Sequence, residues 1–341
     1  MASVDVVVPC YQYGRFLRGC VASVLQQGIE DVRVLIVDNA STDDTSEVAR
    51  TLAVEDARVE VVTHRTNLGH LTSFNEGVDW AEADYFMVLC ADDLLAPGAL
   101  ARAISVMDDS PRVNLTFGRE LIITPESSSQ EFDQLPRSSD WCLIEGRALL
   151  DRLCRSGRPD ASRFMIPGTT AIVRTSAQKR VGHYRVHLPH TADLDMWLRF
   201  ACTGDAVQID AIQGIRRVHP RNRSASVYDC HKWDLEWEAA FESFFQHEGA
   251  RLPNARRLHR IARRALAERA YWGCFSNLLR GNFALSGALL WYAVTRCPDA
   301  AIFPPFGYLL RNGDSVVRIQ RVLSEIGIRW HAPVEGNSDA H

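Results

Sequence analysis

The first 120 residues alternate between short apolar runs and longer segments whose apolar residues recur at helical spacing. Short β-branched runs favour strands, and the recurring pattern favours amphipathic helices. We expect the first strand to stop at Pro9, because proline cannot donate to a strand ladder. Strands that alternate with helices predict an α/β fold with a mostly parallel sheet. The predicted strands cover residues 4–8, 32–37, 59–62 and 85–89, and the predicted helices cover residues 16–27, 45–52 and 71–81.

The remaining chain shows two different patterns. Residues 121–165 contain three prolines and a run of serines, so we expect loops with short helices there. A strand-like segment at 206–209 continues to Val218, and the pattern beyond residue 228 is purely helical. The expected organisation is one α/β domain with halves at 1–120 and 121–227, followed by a helical region at 228–341.

Composition narrows the class of protein. The 341 residues are 46% hydrophobic and 23% charged, as in ordinary globular proteins. The net charge of −4 argues against general nucleic-acid binding. The nine cysteines form no C-x-x-C pair, which favours a reducing compartment. The N-terminus enters a strand at once, so we expect no signal peptide. The apolar stretches are too short to span a bilayer, so we expect no transmembrane helix. We therefore expect a cytoplasmic protein.

Two adjacent carboxylates, Asp92 and Asp93, follow the apolar run 85–89. Buried carboxylates are costly unless a positive charge balances them, and ligands of open α/β sheets bind beyond the carboxyl ends of the strands. A divalent cation that holds a diphosphate suits this position. The alternative is that the pair caps the helix that is predicted to follow.

Polar residues also follow each of the other three predicted strands, which indicates one continuous cleft along the sheet edge. The cleft would combine an aromatic wall, a carboxylate able to accept from a base N–H, amide and cationic donors, and a metal site. Neither G-x-G-x-x-G nor G-x-x-x-x-G-K-[ST] is present, which disfavours dinucleotide-binding and P-loop proteins. The residues are Pro9 and Tyr11 after strand one, Asp38 and Asn39 after strand two, and Arg65, Asn67, His70 and Asn75 after strand three.

These motifs resemble the successive signatures of family 2 glycosyltransferases. They are Val7-Val-Pro-Cys-Tyr11, Val37-Asp-Asn-Ala-Ser-Thr-Asp43, Asn67-Leu-Gly69 with Asn75-Glu-Gly77, and Ala91-Asp-Asp93. The resemblance implies a GT-A fold and a nucleotide-sugar donor. It implies that Pro9, Tyr11 and Asp38 face the nucleobase and ribose, that Asp93 is the principal ligand of Mn²⁺ or Mg²⁺, and that Asp92 lies beside it. Many members have an aspartate where this chain has Cys90.

Asp193 opens a predicted helix in the sequence Asp193-Leu-Asp195-Met-Trp-Leu-Arg199. This resembles the family's acidic motif, in which the first aspartate is the catalytic base. A carboxylate at a helix N-terminus stays ionised readily, as a proton acceptor must. The alternative is a structural N-cap. We expect Asp195 to pair with Arg199, four residues on. His183, His187 and His190 are further candidates for the acceptor side.

His219 follows the strand-like segment that ends at Val218. In related enzymes a histidine here closes the metal site, and the alternative is a solvated loop histidine. Imidazole is an acceptable ligand for Mn²⁺ and a poorer one for Mg²⁺.

The helical region contains seven arginines between residues 251 and 269. They form either a solvated face or a contact for a membrane, a phosphate-bearing acceptor or another subunit. A homodimer and peripheral contact with the inner face of the membrane both remain open.

We expect transfer of one sugar by single displacement with inversion. Acceptance of a base N–H by Asp38 favours uracil or thymine over adenine, so a UDP- or dTDP-sugar is the favoured donor. The acceptor would be a sugar, a lipid-linked molecule or a natural product, and nucleic acid is not expected as a partner. The alternatives are a sugar nucleotidyltransferase and a nucleotide-sugar-binding protein that has lost catalysis.

Overall fold

The computed structural model describes residues 2–124, 140–156, 166–222, 230–301 and 303–311. These residues contain nine strands, eleven α-helices and three short 3-10 helices. The strands are β1 Val4–Cys10, β2 Val32–Asp38, β3 Val59–Thr63, β4 Tyr85–Val88, β5 Leu94–Leu95, β6 Val113–Ile123, β7 Trp141–Ile144, β8 Ile172–Arg174 and β9 Asp205–Arg217. The helices are α1 Gly14–Leu25, α2 Thr45–Glu55, α3 His70–Trp80, α4 Ala99–Asp109, α5 Gly146–Ser156, α6 Thr175–Val181, α7 Ala192–Phe200, α8 Cys230–Gln246, α9 Ala255–Leu279, α10 Phe283–Arg296 and α11 Phe306–Arg311.

The strands form one mixed sheet in the order β3-β2-β1-β4-β8-β6-β9-β5, and β7 pairs with β9. The first four strands are parallel, as expected, and β8 is antiparallel to both β4 and β6. Successive residues of β1 face opposite sides of the sheet: Val6 and Val8 belong to one apolar core, and Val7 belongs to the other. The sheet is therefore buried on both faces, which explains the continuous apolar runs.

The prediction that Pro9 stops the first strand was wrong, because β1 continues to Cys10. The Val7 carbonyl accepts from Leu89, and the Cys10 carbonyl accepts from Asn39. The backbone groups of alternate residues in β1 face β4 and β2 in turn, so an N–H at position 9 would face the β4 side, as Val7 does. At that level β4 has already ended, so the N–H that Pro9 lacks would have no strand partner. No ladder hydrogen bond is lost at this position.

The expected loops at 121–165 were partly wrong. Described residues in this range include the end of the long strand β6, the short strand β7 and the helix α5. Residues 125–139 and 157–165 lie outside the described residues. The predicted domain boundaries stay predictions: residue 120 lies inside β6, and residue 227 is not described.

The helical C-terminal region is confirmed, with α8 and α9 packed together and α10 antiparallel on α9. Arg269 of α9 forms an ion pair with the buried Asp234 of α8, and Arg296 of α10 pairs with Glu238 at 2.8 Å. Within the described ranges, no helix combines the length and the apolar character that crossing a bilayer requires.

Candidate active site

The loops at the carboxyl ends of β1, β2 and β4 open into one cleft of about 1040 Å³. Residues from β6, α7 and the first turn of α8 line its opposite wall. The cleft therefore lies where polar strand ends predicted it, at the edge where ligands of such sheets bind. Of the predicted site residues, it is lined by Pro9, Tyr11, Asn39, Asn67, His70, Asp92, Asp93 and Asp193.

Asp92 and Asp93 are both buried in the loop between β4 and β5. Asp93 Oδ1 accepts from the backbone N–H of Arg217 at 3.0 Å, and Asp92 Oδ2 accepts from Asn222 Nδ2 at 3.0 Å. The pair does not cap α4, whose N-cap position is occupied by Gly98. The capping alternative is thus wrong, because β5 separates the two carboxylates from that helix.

The electrostatics of this pair favour either a proton or a bound cation on Asp93. Burial, followed by the nearby charge of Asp92, raises the pKa of Asp93 from 3.8 to about 8. Among the described residues, neither carboxylate forms an ion pair with a lysine or arginine side chain. Donor atoms of Cys90, Asp92 and Asp93 all lie within 4.8 Å of one another. Each metal–donor distance is about 2.0–2.3 Å, so the three side chains would hold a divalent ion once they move closer together.

His219 contacts Asp92 rather than Asp93. Its Nδ1 accepts from the backbone N–H of Arg221 at 3.2 Å, so the ring proton is on Nε2, which donates to Asp92 Oδ2 at 3.2 Å. The ring stacks on Phe16 with centroids 4.9 Å apart and is buried. This arrangement suits an orienting role toward Asp92. Direct ligation of a metal by His219 stays a prediction.

At the end of β2, Asn39 lines the cleft and Asp38 does not. Asp38 is fully buried, and its two oxygens accept from the backbone N–H of Ser41 and from the Ser46 hydroxyl. Asn39 donates to Asn67 Oδ1 at 2.9 Å and accepts from the backbone N–H of Leu68 at 2.8 Å. Asp38, which was expected to face the base, is therefore buried, and both of its oxygens accept hydrogen bonds from Ser41 and Ser46.

The other residues expected after β3 have different positions. His70 lines the cleft at the start of α3, whereas Arg65 is exposed outside it. The side-chain amide of Asn75 bonds the backbone of Tyr184 on both sides, donating to its carbonyl at 2.9 Å and accepting from its N–H at 2.7 Å. Asn75 thus anchors the segment before α7, and a donor-binding role for it and for Arg65 remains untested.

Two non-glycine residues in the loops after β1 and β2 adopt left-handed backbone conformations. They are Gln12, with φ of 58°, and Ala40, with φ of 61°. The backbone N–H of Gln12 donates to Ser41 Oγ at 2.9 Å, which ties the loop after β1 to the loop after β2. Such conformations cost about 1 kcal/mol each and concentrate at functional sites.

Asp193 also lines the cleft and is half-buried in the first turn of α7. The N-cap position belongs to Thr191, so the simple capping alternative for Asp193 is wrong. A Cβ on Gly168 would lie 3.3 Å from Asp193 Oδ2, so the residue opposite the carboxylate is one without a side chain. The Asp193 carboxylate therefore borders the cleft.

Asp195 faces away from the cleft, as expected. It is fully buried and pairs with Arg199 at 2.8 Å and with Arg185 at 2.6 Å. The expected Asp195–Arg199 pair is confirmed. Of the three histidines before α7, only His190 lines the cleft within the described residues; His183 bonds Asp79 and His187 contacts Ser243.

Sequence reasoning missed Glu120 and Trp233, which both line the cleft. Glu120 of β6 pairs with Arg216 at 2.8 Å and accepts from Thr169 Oγ1 at 2.6 Å, so it holds a guanidinium at the wall of the cleft. Trp233 of α8 packs against His190, with ring centroids 5.7 Å apart. The apolar residues of β6 on both sides of Glu120 were the available signal for a strand there; Trp233 had no local signal.

Comparison with known proteins agrees with this arrangement. The sequence pattern of glycosyl transferase family 2 matches residues 5–177. The glycosyltransferase GlyG of Streptococcus pneumoniae is 30% identical over 166 residues, which are 48% of this chain and 54% of GlyG. The chondroitin synthase of Pasteurella multocida is 33% identical over 236 residues, which are 67% of this chain and 22% of that enzyme. The chain thus spans only about half the length of GlyG.

Two solved structures share the fold. TarS 1–349 of S. aureus, also solved with UDP-GlcNAc, superposes with a TM-score of 0.59 at 14% identity, over 98% of this chain and 95% of that one. The mannosyltransferase PcManGT of Pyrobaculum calidifontis, solved with GDP-Man and Mn²⁺, gives a TM-score of 0.55 at 16% identity, over 96% and 86%. The expected GT-A fold is confirmed. With its family pattern matched over half of its length, the chain belongs to glycosyl transferase family 2.

Proposed function

We propose that the protein is a metal-dependent, inverting glycosyltransferase that moves one sugar from a nucleoside-diphosphate sugar to an acceptor hydroxyl. The observation that carries the proposal is that Asp92, Asp93 and Asp193 all line one cleft. A carboxylate pair that suits a cation–diphosphate complex and a separate carboxylate that suits a proton acceptor are the two parts this chemistry needs.

Cys90, Asp92 and Asp93 would hold the metal, with His219 orienting Asp92. When bound, Mn²⁺ or Mg²⁺ would act as a Lewis acid that balances charge on the diphosphate. Arg216, held by Glu120, also lines the cleft and supplies a further positive charge. With the diphosphate charge balanced in this way, no general acid is required for the leaving group.

Asp193 would accept the proton of the acceptor hydroxyl. The acceptor oxygen then forms a bond to the anomeric carbon while the bond from that carbon to the diphosphate oxygen breaks, and its electron pair leaves with the nucleoside diphosphate. Attack on the face opposite the leaving group inverts the anomeric configuration. The place of Asp193 in the first turn of α7 supports this role, because the helix N-terminus favours the ionised carboxylate.

UDP- and dTDP-sugars are the donors we favour. TarS has been solved with UDP-GlcNAc, which supports a uridine donor, while the GDP-Man complex of PcManGT leaves guanosine as the competing base. Asn39 and Asn67 both line the cleft after β2 and β3, and Asn39 Nδ2 donates to Asn67 Oδ1 at 2.9 Å, so the two amides would meet a base edge as a bonded pair. Amides both donate and accept, so the pair would read the base less strictly than the carboxylate of Asp38 would have done.

The test is incubation with UDP-, dTDP-, GDP- and ADP-sugars, with and without Mn²⁺, followed by proton NMR of the released or transferred sugar. The expected result is metal-dependent consumption of UDP- or dTDP-sugars with inverted anomeric configuration. Retention of configuration, or turnover unchanged in excess EDTA, would overturn the mechanism. Formation of a nucleotide sugar from a sugar phosphate would instead identify a nucleotidyltransferase.

A further inference from the structure

His64 lies at the start of the loop between β3 and α3, in contact with Asn39 of the candidate site. Its side chain is 8% exposed, and both of its ring nitrogens have a partner. Nδ1 lies 2.9 Å from Asn39 Oδ1, and Nε2 lies 2.8 Å from Glu76 Oε1 and 2.9 Å from Glu76 Oε2. His64 therefore joins a residue that lines the cleft to a carboxylate of α3.

The orientation of the Asn39 amide fixes a hydrogen on Nδ1 of His64. The backbone N–H of Leu68 donates to Asn39 Oδ1 at 2.8 Å, so this atom is the carbonyl oxygen of the amide. Asn39 Nδ2 donates to Asn67 Oδ1 at 2.9 Å, in agreement with that assignment. Because a carbonyl oxygen only accepts, the Nδ1 atom that contacts it must donate.

The Nε2 atom must then share a proton with Glu76. In a neutral imidazole that carries its hydrogen on Nδ1, Nε2 has a lone pair instead of a hydrogen. That lone pair would face the oxygens of a carboxylate at 2.8 Å and 2.9 Å, which is repulsive. The contact is favourable when a proton lies between the two groups, as an imidazolium with a carboxylate or as an imidazole with a carboxylic acid. The pair therefore holds one proton more than a neutral histidine and a carboxylate would.

The other charged groups near His64 are directed elsewhere. Asp38 of β2 contacts His64 through the backbone, where its carbonyl accepts from the His64 N–H at 2.9 Å, and its carboxylate is bonded within the turn after β2. The other carboxylate of α3, Asp79, is exposed and pairs with a histidine before α7. Arg65, the next residue along the chain, is exposed. Within the described residues, the ionic partner of His64 is Glu76.

The side chain of Asn67 belongs to the same network and lines the same cleft as Asn39. Its Oδ1 accepts from Asn39 Nδ2 and from the backbone N–H of Gly69, each at 2.9 Å. Without the shared proton, the lone pair of His64 Nε2 would repel the Glu76 carboxylate, and the ring would lose its bond to Glu76 or to Asn39. Either change would loosen the part of the cleft wall that Asn39 and Asn67 form.

We propose that His64 and Glu76 are positioning residues for the nucleotide, and that the proton they share holds Asn39 and Asn67 in the arrangement that binds it. The inference rests on the proposed function, because it takes the nucleoside diphosphate to lie against Asn39 and Asn67. As the pH rises and the shared proton is lost, UDP binding weakens, because binding must first restore that proton.

The experiment is calorimetric titration of UDP, with Mg²⁺ present, into wild type and Glu76→Gln at about pH 6 and about pH 9. The amide that Glu76→Gln introduces can donate to Nε2 of a neutral imidazole, so this variant keeps the network without the extra proton. Between the two pH values, we expect the UDP affinity of wild type to fall about tenfold more than that of Glu76→Gln, about the effect of one hydrogen bond to a charged group. Comparison of the two proteins cancels the ionisation of UDP and of Asp93, which both share.

The matched control is Asp79→Asn, which changes the other carboxylate of α3, also paired with a histidine. It should keep the pH dependence of wild type. A second variant, His64→Ala, breaks the network at every pH, so it should bind UDP about tenfold more weakly than wild type at about pH 6 and show little further loss at about pH 9. Thermal unfolding establishes that each variant is folded.

UDP binding with parallel pH profiles in wild type and Glu76→Gln would overturn this inference and leave the proposed function standing. Loss of the pH dependence in Asp79→Asn would also overturn it, because the effect would then belong to the surface pair. Absence of UDP binding to wild type at both pH values would overturn the proposed function and this inference together.

Discussion

His219 and Asp92 lie 127 residues apart in the sequence and are joined by a hydrogen bond of 3.2 Å between Nε2 and Oδ2. The Nδ1 atom of the same ring accepts from the backbone N–H of Arg221, so both ring nitrogens are engaged. The histidine after β9 is thereby tied to the carboxylate after β4. Its role in metal binding would be to orient Asp92. Loss of such an orienting residue lowers metal affinity less than loss of a direct ligand does.

Asp93→Asn is expected to abolish Mn²⁺-dependent donor binding, because a neutral amide cannot balance the ion. His219→Ala should weaken Mn²⁺ affinity by only about 10- to 100-fold, the usual effect of losing a group that orients a ligand. Calorimetric titration of Mn²⁺ with UDP into both variants measures the difference. His183→Ala, which changes a histidine paired with Asp79 at the surface, is the control. Equal losses in the Asp93 and His219 variants would make His219 a ligand.

The stability of the metal-free protein should depend on pH through Asp93. Burial and the Asp92 charge raise its pKa from 3.8 to about 8 in the folded state. The native state therefore holds a proton that the unfolded state has lost, and stability falls as pH rises through this window. Asp93→Asn should remove this dependence and be more stable than wild type at about pH 8 by at least about 1 kcal/mol.

Urea unfolding in EDTA at about pH 5 and about pH 8 measures the difference between wild type and variant, which isolates Asp93 from other groups. Added Mn²⁺ should reverse the order at the higher pH, because it binds only the native wild type. An Asp93→Asn variant that is less stable than wild type at both pH values in EDTA would contradict the account.

Nucleobase discrimination should depend on Asn39 and not on Asp38. Asn39→Ala removes an amide that lines the cleft, so the preference for UDP over ADP should shrink; it also removes the bonds to Asn67 and Leu68, so some stability is lost as well. Asp38→Ala removes the acceptor for Ser41 and Ser46, so it should lower stability by about 1–3 kcal/mol and leave the preference unchanged. Competition binding with both nucleotides, alongside thermal unfolding, separates these effects. The reverse pattern would restore the base-reading role that the sequence suggested for Asp38.

Cys90 should alter which metals the site prefers. Its donor atom lies with those of Asp92 and Asp93, and thiolate favours softer ions such as Zn²⁺ and Cd²⁺ over Mn²⁺ and Mg²⁺. Cys90→Asp should therefore raise the affinity for Mn²⁺ relative to Cd²⁺. Titration with Cd²⁺ should produce a thiolate–metal absorption band in wild type that is missing in Cys90→Ser. If wild type shows no such band, the sulfur is not a ligand.

Three of the strands that the sequence predicted well consist mostly of apolar residues. β1, β2 and β4 are buried on both faces, so nearly every position carries the signal. β6 was missed because Gly118, Arg119 and Glu120 interrupt its apolar run while the strand continues. Gly118 is required there: a Cβ would lie 2.4 Å from the Gln213 side chain, on the neighbouring strand β9.

The sequence predicted the location of the candidate site, at the ends of the strands. It did not predict which side chains point into the cleft. Which of Asp38 and Asn39 reaches the cleft depends on the turn that satisfies Asp38, and no periodicity encodes that choice. Contacts between distant segments, such as Asn222 with Asp92 or Trp233 with His190, arise only from tertiary packing. Sequence motifs thus indicate where the site lies, and tertiary packing determines which side-chain atoms line it.

The central claim is that Asp193 is the base, and a paired comparison of Asp193→Asn with Asp195→Asn tests it most directly. Both changes replace a carboxylate with an amide in the same helix, but Asp193 lines the cleft and Asp195 is buried between Arg185 and Arg199. Breaking a buried ion pair costs about 3–5 kcal/mol, so Asp195→Asn should lower stability by that order and largely keep turnover at permissive temperature.

The measurement is donor affinity together with the rate of sugar transfer to an acceptor or to water. For Asp193→Asn we predict donor affinity within a few-fold of wild type and a rate lower by on the order of 10²–10⁴. If Asp193→Asn turns over normally while folded Asp195→Asn is inactive, Asp193 is not the base and the account is contradicted.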